Sequence, residues 1–344
     1  MTPAPPVRAG QTARTALLVA AAFLVTMAVL LRTLVYDGMR VLPLEQQRTH
    51  HLVTEAAAFL DPGTMKVHRG VPATATIALL GDPAAGDERT AVWVEFATVE
   101  TMFGQRIDYH ERRTAFDRRT GMIVDCCESY VDDDPGARQS GLAFRLPFAA
   151  APRDHPYYDP VLRRQVTLGY EGEEAVAGLP VRRYGYTAGP VQVEDLPDVY
   201  TAEALGLKKT ARGAKDAARG AAGFVPVSRY VRITRTLWVE PESGLPVRMR
   251  EQRRDTLRTA DQVDRLVTFE ADMTTDPADE AAFTAEARSY RTFAILARDV
   301  LPPAFGAAAP VAAIAAWWAG RRRRGSAPAQ DEQQVPGHDL AQAR

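Results

Sequence analysis

The chain has 344 residues, of which 46% are hydrophobic and 25% are charged, and this is the composition of an ordinary globular protein of one or two domains. Its 42 Lys and Arg residues nearly balance its 43 Asp and Glu residues, so the net charge of -1 gives no reason to expect nucleic acid as a partner. The apolar residues are unevenly spread, with one long apolar stretch near each end.

The first apolar stretch is ALLVAAAFLVTMAVLLRTLVY, residues 16–36, which reaches the roughly 20 residues that a helix needs to cross a bilayer. A cleaved signal peptide is the alternative interpretation. Against it, the run is longer than the apolar part of such a peptide, and no small-x-small cleavage site follows Leu31. We therefore predict a cytoplasmic segment over residues 1–15 and an uncleaved transmembrane helix over residues 16–36.

The second apolar stretch is VLPPAFGAAAPVAAIAAWWAGRRRRG, residues 300–325. Trp317 and Trp318 followed by four arginines are typical of a helix that leaves the membrane on the cytoplasmic side. The alternative interpretation is a Pro/Ala-rich linker beside a basic patch. The pattern favours a transmembrane helix over residues 300–320, followed by a basic and disordered cytoplasmic tail over residues 321–344.

Positive charge sets the expected orientation of the two spans. Arg8 and Arg14 precede the first span, and the arginines at positions 321–324 follow the second. Since cytoplasmic flanks carry an excess of Lys and Arg, we expect both termini in the cytoplasm and residues 37–299 outside as one large domain. The protein is then a two-pass protein of the cell membrane, and its outer domain lies in a compartment that permits disulfides.

Between the spans, the dominant hydrophobic period is two. TAVWVEFATVETMF, residues 90–103, alternates in this way, and Gly121, Gly178 and Gly244 supply turn residues between such runs. This predicts a mainly β domain with an antiparallel sheet, either a sandwich or a curved half-barrel, and few helices. A helix should begin at Asp276 and Pro277 and lead into the second span.

The Ala-, Gly- and Lys-rich segment 198–223 interrupts the strand pattern. Its composition predicts a marginal helix or a mobile insertion. Its basic residues are more typical of a solvated face than of a binding site.

The two cysteines of the chain, Cys126 and Cys127, are neighbours inside a segment that reads as a strand. The two residues can be free thiols, can form a disulfide with each other, can bond to another molecule or can bind a metal. An oxidising compartment and the absence of a third cysteine favour the mutual disulfide, with two reduced thiols as the main alternative. Adjacent Cα atoms lie only about 3.8 Å apart, below the usual disulfide range of roughly 4.4–6.8 Å, so we expect the bond to force a local bend.

No motif in the chain indicates catalysis or a cofactor. The sequence has no nucleophile elbow, no phosphate-binding Gly loop and no dinucleotide fingerprint. VDDDPGAR lacks the ligand spacing of an EF-hand and predicts a polar turn. The histidines show no zinc spacing and lie at His50, His51, His68, His110, His155 and His338. We expect a protein that is not an enzyme and has no cofactor and no metal site.

A longer run brings a family resemblance. DRRTGMIVDCCESYVDDDPGARQSGLAFRLPFAAAPRDHPYYDP, with FLDPGTM before it and TLWVEPESG after it, resembles the porin-PorA-like family of actinobacterial envelope proteins, which is largely uncharacterised. The resemblance covers nearly the whole chain. The family name suggests a pore, but DYHERRTAFDRR and RMREQRRDTLR put charges on both faces of strands that would have to face lipid.

A second resemblance concerns the ligand. GLPVRRY and TLWVEPESGLPVRM look like hairpins of periplasmic lipoprotein-carrier and lipid-binding β domains, which is a likeness of fold only. We therefore expect a membrane-anchored envelope protein whose β-rich domain binds or helps to transfer a lipid or another amphiphile. Expected partners are membrane lipids and other envelope membrane proteins. The alternatives are a scaffold of a membrane complex and a pore-forming protein.

Overall fold

The computed structural model describes residues 9–207 and 224–321. The chain divides into two compact units, one formed by residues 1–38 with 295–344 and the other by residues 39–294. The first contains the two apolar helical segments, and the second contains the sheet.

The N-terminal helical segment consists of α1 (Ala9–Leu30), a π-helical turn (Leu31–Val35) and α2 (Tyr36–Met39). The C-terminal helical segment consists of α3 (Pro277–Ile295), a second π-helical turn (Leu296–Val300) and α4 (Leu301–Arg321). Both segments are long and apolar enough to cross a membrane.

Within the first unit, α1 packs lengthwise against α4. At one end of the pair, a Cβ added at Gly320 would lie 3.5 Å from the Nε atom of Arg14. At the other end, Nη1 of Arg298 donates a hydrogen bond of 3.0 Å to the hydroxyl of Tyr36. The start of the first helical segment therefore lies beside the end of the second, and the two helices are antiparallel.

The second unit is built on eleven strands: β1 (Gln47–Asp61), β2 (Lys66–Gly81), β3 (Thr90–Thr101), β4 (Arg106–Asp117), β5 (Tyr130–Val131), β6 (His155–Asp159), β7 (Arg164–Val176), β8 (Leu179–Thr201), β9 (Phe224–Glu240), β10 (Leu245–Arg258) and β11 (Asp264–Thr275). They form one antiparallel sheet in the order β5-β4-β3-β2-β1-β11-β10-β9-β8-β7-β6. The sheet curls into a half-barrel. The mainly β prediction is confirmed, with the half-barrel rather than the sandwich.

Turn glycines close the hairpins as the sequence predicts. Gly178 and Gly244 have positive φ angles of 76° and 69° and connect β7 to β8 and β9 to β10. Gly121 also has a positive φ, of 73°, after β4. The second arm of that predicted hairpin is absent, however, because Met122 and Ile123 form only isolated bridges and the chain then enters a loop.

The prediction of a marginal helix or a mobile insertion over residues 198–223 is wrong for the first residues of that segment. Asp198–Thr201 continues β8, and residues 202–206 form a turn. Tyr200 and Thr201 pair with Val225 and Phe224 of β9 beyond a register shift that follows Leu196, so cross-strand hydrogen bonding prevails over a weak helical composition. Residues 208–223 lie outside the described residues.

The helix predicted at Asp276 and Pro277 is confirmed, and it covers one end of the sheet. The Asp276 side chain accepts a hydrogen bond of 2.8 Å from the amide of Ala278 and caps the helix. Phe283 and Ala287 are buried against a cluster from the sheet that includes Val247. α3 therefore places one aromatic side chain over the concave interior.

Gly178 and Gly244 provide a matched test of the turns. Gly178→Ala should cost about 1–2 kcal/mol of the free energy of unfolding, because an L-residue at positive φ is strained and nothing else lies within 4 Å. Gly244→Ala should cost about 1–3 kcal/mol more, because its Cβ would clash with the carbonyl oxygen of Leu146 and lie 2.6 Å from that of Pro147. Denaturant unfolding of the two purified full-length variants measures the difference, and equal losses would contradict this packing.

Candidate functional site

A cavity of about 150 Å³ lies on the concave side of the sheet. Part of its wall is apolar and comes from Ile77, Leu79, Trp93, Phe144, Met249 and Phe283. The rest is charged, because β1, β3 and β4 point alternate residues inward and several of these carry charge. A volume of this size holds a group about as large as benzene, so it accommodates part of an amphiphile but not a whole acyl chain.

The first buried ion pair joins β3 to β4. Nε and Nη2 of Arg112 each donate a hydrogen bond of 3.0 Å to the carboxylate of Glu95, and Nη2 also reaches the carbonyl oxygen of Ala143 at 3.0 Å. Arg112 is only 2% exposed. Burial opposes its charge, but the nearby Glu95 carboxylate outweighs that cost and raises the pKa of Arg112.

A second buried pair joins β9 to β10. Arg235 donates from Nε to Glu251 at 3.0 Å and from Nη1 to Asp159 at 2.7 Å. The hydroxyl of Tyr186 also donates to Asp159. Burial opposes the charge of Arg235, and the attraction of Asp159 reverses this and raises its pKa well above the usual value.

A third cation on the concave side, Arg253, lies against two acids. Its Nε and Nη2 atoms contact Asp255 at 2.9 and 2.6 Å, and Nη2 lies 2.8 Å from Asp108. Although burial opposes ionisation of Asp108, the guanidinium groups of Arg253 and Arg229 lower its pKa to about 2. Asp108 therefore stays ionised over the physiological range.

Arg145 differs from these cations because no carboxylate within the described ranges lies at ion-pair distance from it. Its Nε and Nη2 atoms are closed off from solvent and have no hydrogen-bond partner. Its guanidinium lies over the ring of Phe148, 4.6 Å from the centroid. Burial, together with the charge of Arg48, lowers the pKa of Arg145 to about 10.

Two more guanidinium nitrogens near the cavity lack a hydrogen-bond partner. Nη1 of Arg48 and Nη1 of Arg112 are also buried without a hydrogen-bond partner, while Nη2 of Arg48 donates to Glu286 at 2.6 Å. Arg48, Arg112 and Arg145 all line the cavity. Three residues that line the cavity therefore carry between them four buried guanidinium nitrogens without a hydrogen-bond partner.

His50 lines the same cavity from β1. Its Nε2 atom lies 3.1 Å from the hydroxyl of Thr275, and its ring contacts the edge of Phe283. Burial is the main cause that lowers the pKa of His50 to about 4, so its imidazole is neutral at pH 7. The adjacent His51 does not line the cavity, and its Nδ1 atom lies 2.9 Å from Asp279.

The predicted disulfide between Cys126 and Cys127 is present. The cysteines lie in a turn after β4 rather than within a strand, and Cys127 has a φ of 65°. A regular strand points neighbouring side chains to opposite faces, so a bond between them requires such a departure. Arg113 secures the turn by donating to the carbonyl oxygen of Cys127 at 3.2 Å, and the disulfide does not line the cavity.

The acidic segment after the disulfide forms a turn, as its composition predicts. Asp132 accepts a hydrogen bond from the amide of Glu111 at 3.0 Å and contacts Arg163 at 2.5 Å, while Asp134 accepts one from the amide of Gly136 at 2.8 Å. Over residues 9–207 and 224–321, no group of three or more His, Cys, Asp or Glu side chains could hold a metal ion. His338 lies outside these ranges.

Sequence reasoning missed the charged interior. DYHERRTAFDRR reads as a strand with two wet faces, yet Asp108 and Arg112 point into the cavity. The signal that was present is a match of opposite charge: Glu95 lies in phase with the apolar residues Trp93 and Ala97 on β3, and Arg112 on the next strand carries the opposite charge. Without the pairing register, that match cannot be separated from ordinary surface charge.

These features define a class: a membrane protein with apolar helices near both ends of its chain and a β-rich domain whose interior contains buried ion pairs. Residues 14–318 match the family described as Porin PorA, and the chain belongs to that family. It is similar to a protein described as Porin PorA from Corynebacterium amycolatum, with 29% identity over 129 residues. That match spans 34% of this chain and 33% of the relative.

The lowered pKa of His50 makes a pH prediction. In the native state His50 stays neutral down to about pH 4, whereas the unfolded chain binds a proton near pH 6.5, so stability is lost as the pH falls through this window. Between pH 7 and pH 5 the loss from this group should be about 2 kcal/mol. The variant His50→Gln should lose correspondingly less stability over this interval.

Denaturant unfolding of the full-length protein at pH 7 and pH 5 measures this loss. His68→Gln, a change of the same chemistry at a half-exposed position of β2, is the control and should keep the pH dependence of the wild type. Identical pH dependence in His50→Gln and the wild type would show that His50 is not held neutral by burial.

Proposed function

We propose that this protein is a two-pass, non-enzymatic envelope protein whose β-rich domain lies outside the cell membrane and binds part of an envelope amphiphile. The observation that carries the proposal is the cavity on the concave side of the half-barrel, with its apolar wall and the arginine side chains that line the rest of it. An amphiphile presents the two matching chemistries, a hydrocarbon and a polar head.

The cavity also limits the size of the ligand. At about 150 Å³ it has room for a head group or for a few carbons, and the buried pairs Glu95–Arg112 and Arg235–Glu251 occupy the space beside it. A carrier that shields a whole acyl chain needs a longer apolar tunnel. We therefore propose recognition of one end of an amphiphile rather than extraction of a complete lipid.

The helical unit supports membrane attachment with both termini on one side. α1 and α4 are antiparallel neighbours, with Arg14 near the start of the first and Arg321 at the end of the second. Since an excess of arginine marks the cytoplasmic side, both termini are proposed to be cytoplasmic. The chain between the helices is then extracytoplasmic.

A pore is the alternative that the family name favours. The sheet is poorly suited to span lipid, because its exposed side chains include the ion pairs Arg250–Asp272, Arg254–Glu270 and Arg183–Glu171. Arginine or lysine on a lipid-facing strand costs roughly 2–4 kcal/mol at the bilayer midplane. A channel would instead have to be built from assembled helices, and α4 has no ionisable residue before its last position.

The proposed orientation predicts the reactivity of introduced cysteines. In a Cys126→Ser/Cys127→Ser background, Val335→Cys should not react with a membrane-impermeant maleimide in cells whose outer envelope has been removed, because the cell membrane shields it. Lys66→Cys, in an exposed part of the β-rich domain, should react in the same cells. Reaction at position 335 before the cell membrane is opened would contradict the topology.

Amphiphile binding predicts a molecule that stays with the protein through purification. Native mass spectrometry of the full-length protein in a mild detergent should show an added mass, and Ala75→Leu should remove it by filling the cavity that Ala75 lines. Ala281→Leu makes the same change at an exposed position of α3 and is the control. An unmodified mass in the wild type, even after lipid is added back, would overturn the proposal.

A further inference from the structure

We infer that Arg48, Arg112 and Arg145 form a binding site for a phosphate-type oxyanion in the cavity. The inference rests on the proposed function, since it names the chemistry of the ligand in the same cavity. The anion can be free phosphate or the phosphate head of a lipid, because both present the same oxygens to the three guanidinium groups.

The first support is the number of unused donors. Arg112 employs Nε and Nη2 on Glu95 and leaves Nη1 without a partner, and Arg48 employs Nη2 on Glu286 and leaves Nη1. Arg145 leaves Nε and Nη2. A buried donor without an acceptor is costly, and more so when it is charged, so four such atoms on three residues that line one cavity need an explanation.

The second support is the balance of charge at this end of the cavity. Glu95 compensates Arg112 and Glu286 compensates Arg48, whereas Arg145 has no ion-pair partner in the described part of the chain. The three cations therefore exceed their paired acids by one positive charge. An anion restores the balance, while a neutral ligand would leave a buried cation uncompensated.

The third support is that the site is built before any ligand arrives. The guanidinium of Arg112 lies 4.5 Å from the ring centroid of Phe144, and that of Arg145 lies 4.6 Å from the ring centroid of Phe148. The segment that carries Arg145 is tied to a turn, because the amide of Leu146 donates to the carbonyl oxygen of Gly244 at 3.2 Å. Fixed donors lose little entropy on binding, which favours affinity.

Phosphate fits this arrangement better than a carboxylate does. A phosphate group offers three or four acceptor oxygens pointing in different directions, and guanidinium groups bind phosphate through charge-assisted hydrogen bonds. A carboxylate offers two oxygens in one plane and matches a single guanidinium fork. Three guanidinium groups from β1, β4 and the segment before β6 approach the cavity from different elements.

Ordered water is the competing occupant, because a polar cavity of this size can hold several molecules that satisfy N–H groups. Water satisfies the donors but leaves the excess charge of Arg145 in place. The two occupants can be distinguished by measurement. If the cavity is an anion site, it binds an anion with an affinity that depends on Arg145.

Calorimetric titration of the full-length protein with inorganic phosphate, in chloride buffer at constant ionic strength, tests the site. The wild type should bind one phosphate, and Arg145→Gln should bind it about 10- to 100-fold more weakly, since charged hydrogen bonds are lost. Arg250→Gln removes an exposed arginine that is paired with Asp272 and should leave the affinity unchanged. Because Arg145 has no ion pair to lose, Arg145→Gln should not lower the thermal midpoint of the phosphate-free protein.

The same titration with two lipids distinguishes failure of this inference from failure of the proposed function. The lipids are dihexanoyl phosphatidic acid and dihexanoylglycerol, which have the same acyl chains and differ in the phosphate. Arg145-dependent binding of phosphate and of the phosphatidic acid supports both. Arg145-dependent binding of phosphate alone supports the anion site and overturns the amphiphile function. Equal binding of the two lipids without any effect of Arg145→Gln overturns the anion site and retains the amphiphile function. Absence of binding by all three probes overturns both.

Discussion

A guanidinium group in a closed interior is costly without acceptors, and this constraint governs the concave side of the sheet. Glu95 and Arg112 are directly opposed on β3 and β4, and Arg235 and Glu251 are directly opposed on β9 and β10. A register slip of one residue in either hairpin would turn a charged partner to the convex side and leave the other buried alone. The ion pairs therefore specify the strand register of the half-barrel.

Such pairs contribute more to the choice of one structure than to its stability. The cost of removing two charges from water roughly offsets their attraction, whereas breaking one partner away costs about 3–5 kcal/mol. Arg145 stands apart from this arrangement, because it carries the cost of burial without a carboxylate. That asymmetry is the physical basis for the ligand chemistry assigned to the cavity.

The two faces of the sheet distinguish this protein from lipid carriers and from transmembrane β-barrels. A lipid carrier has an apolar tunnel, but the concave side here contains Arg112, Arg235 and Arg253 with their acids. A transmembrane barrel has an apolar outer band, but the exposed side chains of the sheet include paired arginines and carboxylates. Membership of the Porin PorA family thus coincides with a domain that has ion pairs both on its exposed side and in its interior.

Much of the architecture was readable from the sequence because it depends on local patterns. Two apolar runs, a hydrophobic period of two, turn glycines such as Gly244 and the capped start at Asp276 identified the helices, the antiparallel β domain and its best hairpins. The adjacent cysteines could pair in only one way within the chain, and the disulfide is present. Their location in a turn was not readable, because MIVDCC keeps the alternation of a strand while forming only isolated bridges.

The site itself was decided by tertiary structure alone. Arg235 meets Asp159 across 76 positions of the chain, and Arg48 meets Glu286 across 238. A charged residue in an alternating strand has the same local pattern whether it faces water or a partner, so its burial depends on a distant acid that folding brings close. Composition and period therefore determine the sheet and its helices, while the packing of the sheet, α3 and the loops determines which arginines are paired and which one is left without an acid.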